Sequence, residues 1–73
     1  MANTTTQNQP QHEQLLRLAQ VEAMVGLKKS SIYKMMADGT FPAAVPISPN
    51  SRAWLLSEIQ AWIAARVAER GAA

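Results

Sequence analysis

LAQVEAMVGLKKSSIYKMMADGTFP, residues 18–42, contains two apolar stripes at helical spacing, each followed by a glycine. In the first, Leu18, Val21, Met24 and Val25 share one face of a helix predicted over residues 18–25. Gly26 follows the last apolar position, where a left-handed residue is needed and glycine adopts it without a Cβ clash. In the second, Ile32, Met35 and Met36 repeat the i, i+3, i+4 spacing before Asp38-Gly39 stops the helix. Phe41 is expected to pack back over that helix end, while Pro42 prevents continuation. Two short helices joined by a glycine-initiated turn make a helix-turn-helix signature, one that plain helical hairpins share.

Outward from this pair the signals are shorter. Upstream, LLRL (residues 15–18) reads as a short strand or as the approach to the first helix. Downstream, AAVPISPNSRAW (residues 43–54) carries Pro46 and Pro49, which cannot donate ladder hydrogen bonds, so any strand here is short and at an edge. Ser48-Pro49-Asn50-Ser51 suits a tight turn, since proline presets φ at the second position and asparagine tolerates the third. The result is a small hairpin, a wing, whose second arm ends at Trp54, read as a core residue. A third helix is expected to start with Ser57 as N-cap and Gln60 completing a capping box, and to stop at Gly71. Its buried stripe reads as Ile59, Trp62, Ile63 and Val67, with the alanines at 61, 64, 65 and 68 supplying helix propensity.

Length and composition narrow the function. Seventy-three residues allow one domain, and the opening MANTTTQNQPQHE has almost nothing apolar to bury. The expected organisation is a flexible polar tail over residues 1–14 and a folded domain over 15–71. A domain of this size buries only roughly 60% of the surface its unfolded chain exposes, which makes it a poor size for an enzyme. There are no cysteines, hence no disulfide framework and no thiolate metal site. His12 stands in the tail without cysteine or paired carboxylates nearby, and no glycine-rich phosphate loop or nucleophile motif is present. Glu58 and Glu69 read as helix-face charges. Neither a metal nor a cofactor is expected. No apolar run approaches the ~20 residues of a membrane span, and a signal peptide is not apparent, so the expected location is the cytoplasm, away from the membrane.

The net charge of +2 is unevenly placed: residues 26–54 carry +3 and the remainder −1. On the second helix, subtracting the apolar face leaves Ser30, Tyr33, Lys34 and Ala37 on the opposite stripe, with Lys28 and Lys29 at its start. Lysines suit phosphates or guanine acceptors, serine a phosphate or base edge, and tyrosine either through its hydroxyl. Two lysines at a helix start repel its positive end, a local violation of the kind expected at functional sites. An anionic partner turns that repulsion into attraction. Arg52, on the return arm of the wing, is placed for a second contact to backbone or minor groove.

The sequence also resembles the AlpA family of prophage regulatory proteins, small winged helix-turn-helix proteins related to phage excisionases. The resemblance covers residues 16–70. It is carried by Arg17-Leu18, Val21, Gly26-Leu27, Ser30-Ser31-Ile32-Tyr33-Lys34 and Gly39-Thr40-Phe41-Pro42. It continues through Arg52-Ala53-Trp54, Ser57-Glu58-Ile59 and Ala61-Trp62-Ile63. The resemblance implies a mainly α fold of three helices with a small β-hairpin, a winged helix-turn-helix of the MerR and excisionase type. It makes residues 28–34 the recognition helix in the major groove and Arg52 part of the wing, so the implied DNA-contacting set is Lys28, Lys29, Ser30, Ser31, Tyr33, Lys34 and Arg52. The chain departs from the family pattern at Lys28, where a capping serine is usual, and at Pro49-Asn50, which replaces a more glycine-rich wing tip.

The functional expectation is a sequence-specific double-stranded DNA-binding transcriptional regulator of a prophage or integrated element. An excisionase-like DNA-bending factor is one alternative. A protein-interaction module that uses the helix-turn-helix as scaffold is another. The expected partners are duplex DNA and either an integrase or RNA polymerase, with a monomer in solution that binds repeated sites cooperatively.

Overall fold

The computed structural model describes residues 13–72; His12 lies outside them. In chain order the elements are β1 (Leu15–Leu16), α1 (Leu18–Val25), α2 (Lys29–Asp38), β2 (Val45–Ser48), β3 (Ser51–Leu55) and α3 (Leu56–Ala72). The strands form one antiparallel sheet in the order β1-β3-β2. Three helices and a small hairpin give a winged helix-turn-helix.

Both glycines that punctuate the helix pair are left-handed, Gly26 at φ 75° and Gly39 at φ 79°. After α1, the Gly26 N–H donates to the Glu22 carbonyl at 2.9 Å, the simple left-handed ending. After α2, Gly39 N–H donates to Met36 and Thr40 N–H to Met35, at 3.1 and 2.9 Å. That pair of bonds is a Schellman motif, and it turns the chain sharply toward Phe41.

LLRL divides between both readings: Leu15–Leu16 is a strand and Arg17-Leu18 opens α1. The strand's partner is distant in sequence, with Leu15 opposite Leu55 and Leu16 opposite Trp54. The wing forms around Pro49-Asn50, with Val45 opposite Ala53 and Pro46 opposite Arg52. β2 lies at the sheet edge, where the missing N–H of Pro46 does least harm. Among the described residues only glycines have positive φ, so the Pro49-Asn50 turn is not of the primed kind that matches strand twist. The register breaks between Pro46 and Ser48, beside that turn, and takes up the mismatch.

The core is small and evenly drawn. Leu16, Val21, Ile32, Phe41, Ala53, Trp54 and Ile59 are buried, so β1, α1, α2, β3 and α3 each contribute and β2 contributes none. Each large apolar side chain among them stabilises the fold by about 1.5–3 kcal/mol. Two indoles fasten the segment after α2: Trp54 Nε1–H donates to the Pro42 carbonyl at 3.1 Å and Trp62 Nε1–H to the Thr40 carbonyl at 2.8 Å. Between them Phe41 meets Trp62 edge to face, with centroids 5.0 Å apart.

Four expectations about the helices need correction. Ser57 is not an N-cap, because α3 already begins at Leu56; the residue before the helix is Leu55, at the end of β3, whose aliphatic side chain cannot cap. The Leu56 N–H is taken by the Gln14 carbonyl at 2.8 Å, and the Ser57 hydroxyl donates to Glu13 Oε2 at 3.2 Å. A glutamine does reach back at α1, where Gln20 Oε1 accepts the Arg17 N–H at 2.8 Å. Gly71 does not end α3, which continues to Ala72; beyond the core no packing draws the chain out of the helix. For the same reason Val67 is 48% exposed, so the buried stripe stops at Ile63. On α1, Met24 leaves the expected apolar face and is 40% exposed. Among the described residues no helix is long and apolar enough to cross a membrane.

Candidate nucleic-acid interface

α2 presents two distinct faces. Ile32 is fully buried, and Met35 and Met36 pack partly against the core. Lys28, Lys29, Ser30, Ser31 and Lys34 are exposed. Lys28 occupies the N-cap in an extended conformation, its side chain makes no capping hydrogen bond, and no acid stands in the first turn. The orphan N–H groups of this helix end, with their positive partial charge, therefore lie beside lysines rather than a neutralising carboxylate. Lys34 Nζ lies 3.6 Å from Asp38 Oδ2, but with side chains 77% and 55% exposed the pair is screened by water and readily exchanged.

Tyr33 does not stand clear of the core as its helical position suggests. It is half-buried and meets Trp54 edge to face, with centroids 6.2 Å apart and planes at 65°. The physical reason lies in β3. Trp54 and Arg52 are two residues apart and share one side of the strand, and α2 lays Tyr33 against that side. Leu16 pairs with Trp54 from the other strand, and the next residue, Arg17, opens α1.

These three placements enclose an open cavity of about 380 Å³. Arg17, Leu18 and Ala19 line it from the start of α1, Tyr33 from α2, and Asn50, Ser51, Arg52 and Trp54 from the wing. Of the residues expected to contact DNA, Tyr33 and Arg52 are brought together here, while Lys28, Lys29, Ser30, Ser31 and Lys34 lie on the open face of α2 and do not line it.

Arg17 was missed as a site residue, although a signal was present. It is the N-cap of α1, with no acid in the first turn, which repeats the violation seen at Lys28. α3, by contrast, carries Glu58 in its first turn as the helix dipole favours. Two helices thus open on a cation. The remaining cations include Arg66, which is engaged internally: it donates to Glu69 at 2.6 Å and lies over the Trp62 ring at 5.2 Å. Neither Arg17 nor Arg52 has an ion-pair partner among the described residues. No group of three or more metal-ligating side chains comes together among them either.

A protein of Enterobacteria phage P4, described as uncharacterized protein ORF88, is 41% identical over 58 residues. That alignment takes in 80% of this chain and 66% of the relative, a little under two thirds of its length. A family model described as prophage CP4-57 regulatory protein (AlpA) matches residues 14–67. The matched span begins one residue before β1 and runs through the helix pair, the wing and most of α3, so it takes in Arg17, the basic face of α2 and Arg52. On that match the chain belongs to the AlpA family of prophage regulatory proteins.

Proposed function

We propose that this protein is a sequence-specific double-stranded DNA-binding regulator of transcription from a prophage or integrated element, acting in the cytoplasm. The observation that carries the reading is the exposed face of α2, where Lys28, Lys29, Ser30, Ser31 and Lys34 surround a helix start that no carboxylate neutralises. A helix about 10–12 Å across fits the B-form major groove, about 12 Å wide. Lysines there bind phosphates and guanine acceptors, and the serines bind phosphates or base edges. Arg52 follows from the wing to the adjacent backbone or minor groove.

In this reading residues 15–71 are the DNA-binding unit. The protein is a monomer in free solution, since α3 spends its apolar face on the core and offers no coiled-coil seam; one module of this kind covers only roughly 600–1,000 Å² of DNA and so gains strength from repeated or inverted sites. RNA polymerase is the protein partner at a promoter, and an integrase takes that place if the bound site adjoins an attachment site.

The test is selection of bound sequences from random duplex, followed by titration of the enriched site. The expected result is a short motif recurring in two or more copies. Failure to enrich any sequence, with duplex affinity no better than millimolar at low salt, removes the proposal and leaves the lysines as a solvated or protein-binding face.

A further inference from the structure

We propose that Arg17, Tyr33 and Arg52 form a clamp for one phosphodiester of the bound duplex, so that the start of α1 and the wing grip the same phosphate. The proposal rests on the DNA-binding reading above and assigns a ligand to the cavity between those elements.

The cavity holds about 380 Å³, where a single water needs only about 10–15 Å³. That is room for a phosphate with its adjoining sugar. Two arginines and a tyrosine line it, and Asn50 and Ser51 join them from the wing tip. None of its lining residues is acidic. The carboxylates of Glu13, Asp38 and Glu69 are each engaged elsewhere, with Ser57, Lys34 and Arg66. Glu58 lines a different surface, beside Trp62.

Two arginines facing one small volume repel each other unless an anion lies between them. Guanidinium is a rigid planar fork that matches phosphate oxygens in pairs, and it stays charged at any physiological pH. Leu18 and Ala19 also line the cavity, and their backbone N–H groups lie in the first turn of α1, where no carbonyl of the helix can reach them. The earliest bond inside this helix is donated by Val21, to the Arg17 carbonyl. Both arginines and the free backbone donors thus border one cavity, where a single anion would satisfy them together. The ring of Tyr33, held against Trp54, fixes the third wall.

A shared phosphate makes a prediction that separate contacts do not: the effects of Arg17 and Arg52 must depend on each other. The experiment measures duplex affinity, on the selected site, for the full chain and for Arg17→Gln, Arg52→Gln and the double variant. Each single change is expected to lose about tenfold, and the double variant clearly less than the hundredfold product, since the two side chains act on one group. Duplexes with a neutral methylphosphonate at one position at a time then locate the phosphate. One position should weaken the unaltered protein most, weaken Arg17→Gln and Arg52→Gln each by less, and leave the double variant without further loss.

Losses that multiply fully, or sensitivity of the two variants to different phosphates, overturn the clamp. If either glutamine variant is unfolded by circular dichroism, Arg17→Lys and Arg52→Lys replace them, and the same coupling must appear as loss of the fork with the charge kept. Tight binding by the unaltered protein with Arg17→Gln unchanged sinks the clamp alone, whereas absence of any duplex binding sinks the functional proposal together with it.

Discussion

Tyr33 and Trp54 meet edge to face at 6.2 Å, which ties the helix that presents the lysines to the strand that presents Arg52. One aromatic contact thus sets the relative position of the two elements proposed to contact DNA. Edge-to-face pairs contribute about 0.5–1.5 kcal/mol beyond the area they bury.

Tyr33→Phe and Tyr33→Ala should therefore part company. The phenylalanine variant keeps the ring on Trp54 and should retain its thermal midpoint while losing some duplex affinity. The alanine variant should lose both, with stability falling by more than 1 kcal/mol. Thermal unfolding run beside duplex titration checks this, and equal stability for the two variants would contradict the packing role.

Lys28 offers an opposing pair of effects. Because it occupies an N-cap without capping, Lys28→Ser should stabilise the domain by about 0.5–2 kcal/mol. The same change removes a cation from the proposed DNA face and should weaken duplex binding. Denaturant melts and binding titrations on the one variant should thus move in opposite directions.

Ile32 is fully buried at the centre of the core, and Ile32→Ala should cost about 2–5 kcal/mol. A domain this small has little more than about 5 kcal/mol in total. The variant should be largely unfolded at 25 °C by far-ultraviolet circular dichroism, while Lys29→Ala, wholly exposed, should fold as the parent does.

Ser57→Ala tests the start of α3. A true N-cap serine would cost typically about 1 kcal/mol on replacement. Since the hydroxyl here reaches only the exposed Glu13, the expected change is within about 0.5 kcal/mol.

Salt dependence counts the phosphates engaged. With Lys28, Lys29, Lys34 and Arg52 alone, the slope of log K against log salt should be about −3.6. Adding Arg17 as an independent contact would bring it to about −4.5, whereas an arginine that shares its phosphate with Arg52 leaves it near −3.6. Affinity measured from 50 to 200 mM salt separates the two.

The parts of this fold that were legible in sequence are those fixed by neighbours along the chain. Gly26 and Gly39 each follow an apolar stripe, and both take the left-handed conformation their positions demand. Pro46 and Pro49 confine β2 to an edge and place the turn. The parts that were not legible depend on contacts between distant residues. Nothing local to Arg17 says that Leu16 will pair with Trp54 and so deliver it beside Arg52. Nothing local to Tyr33 says that a tryptophan of the wing will cover its ring. Ser57 and Gln60 have the spacing of a capping box, but the pairing of Leu55 with Leu15 carries β3 directly into α3, so the residue before the helix is Leu55 and Ser57 already lies inside it.

β2 is the one element without a buried side chain, and its hydrogen bonds to β3 are almost all that hold it. Opening it exposes little apolar surface, so its amides should exchange with deuterium well before those of α2. β2 can therefore peel away and close again while β3, anchored by the buried Ala53 and Trp54 and paired with β1, stays with the helices. If the protein engages DNA as proposed, the outer edge of the wing can then yield to an ill-fitting groove while Arg52, on the anchored strand, keeps its place. The adaptable part of that surface is one strand wide.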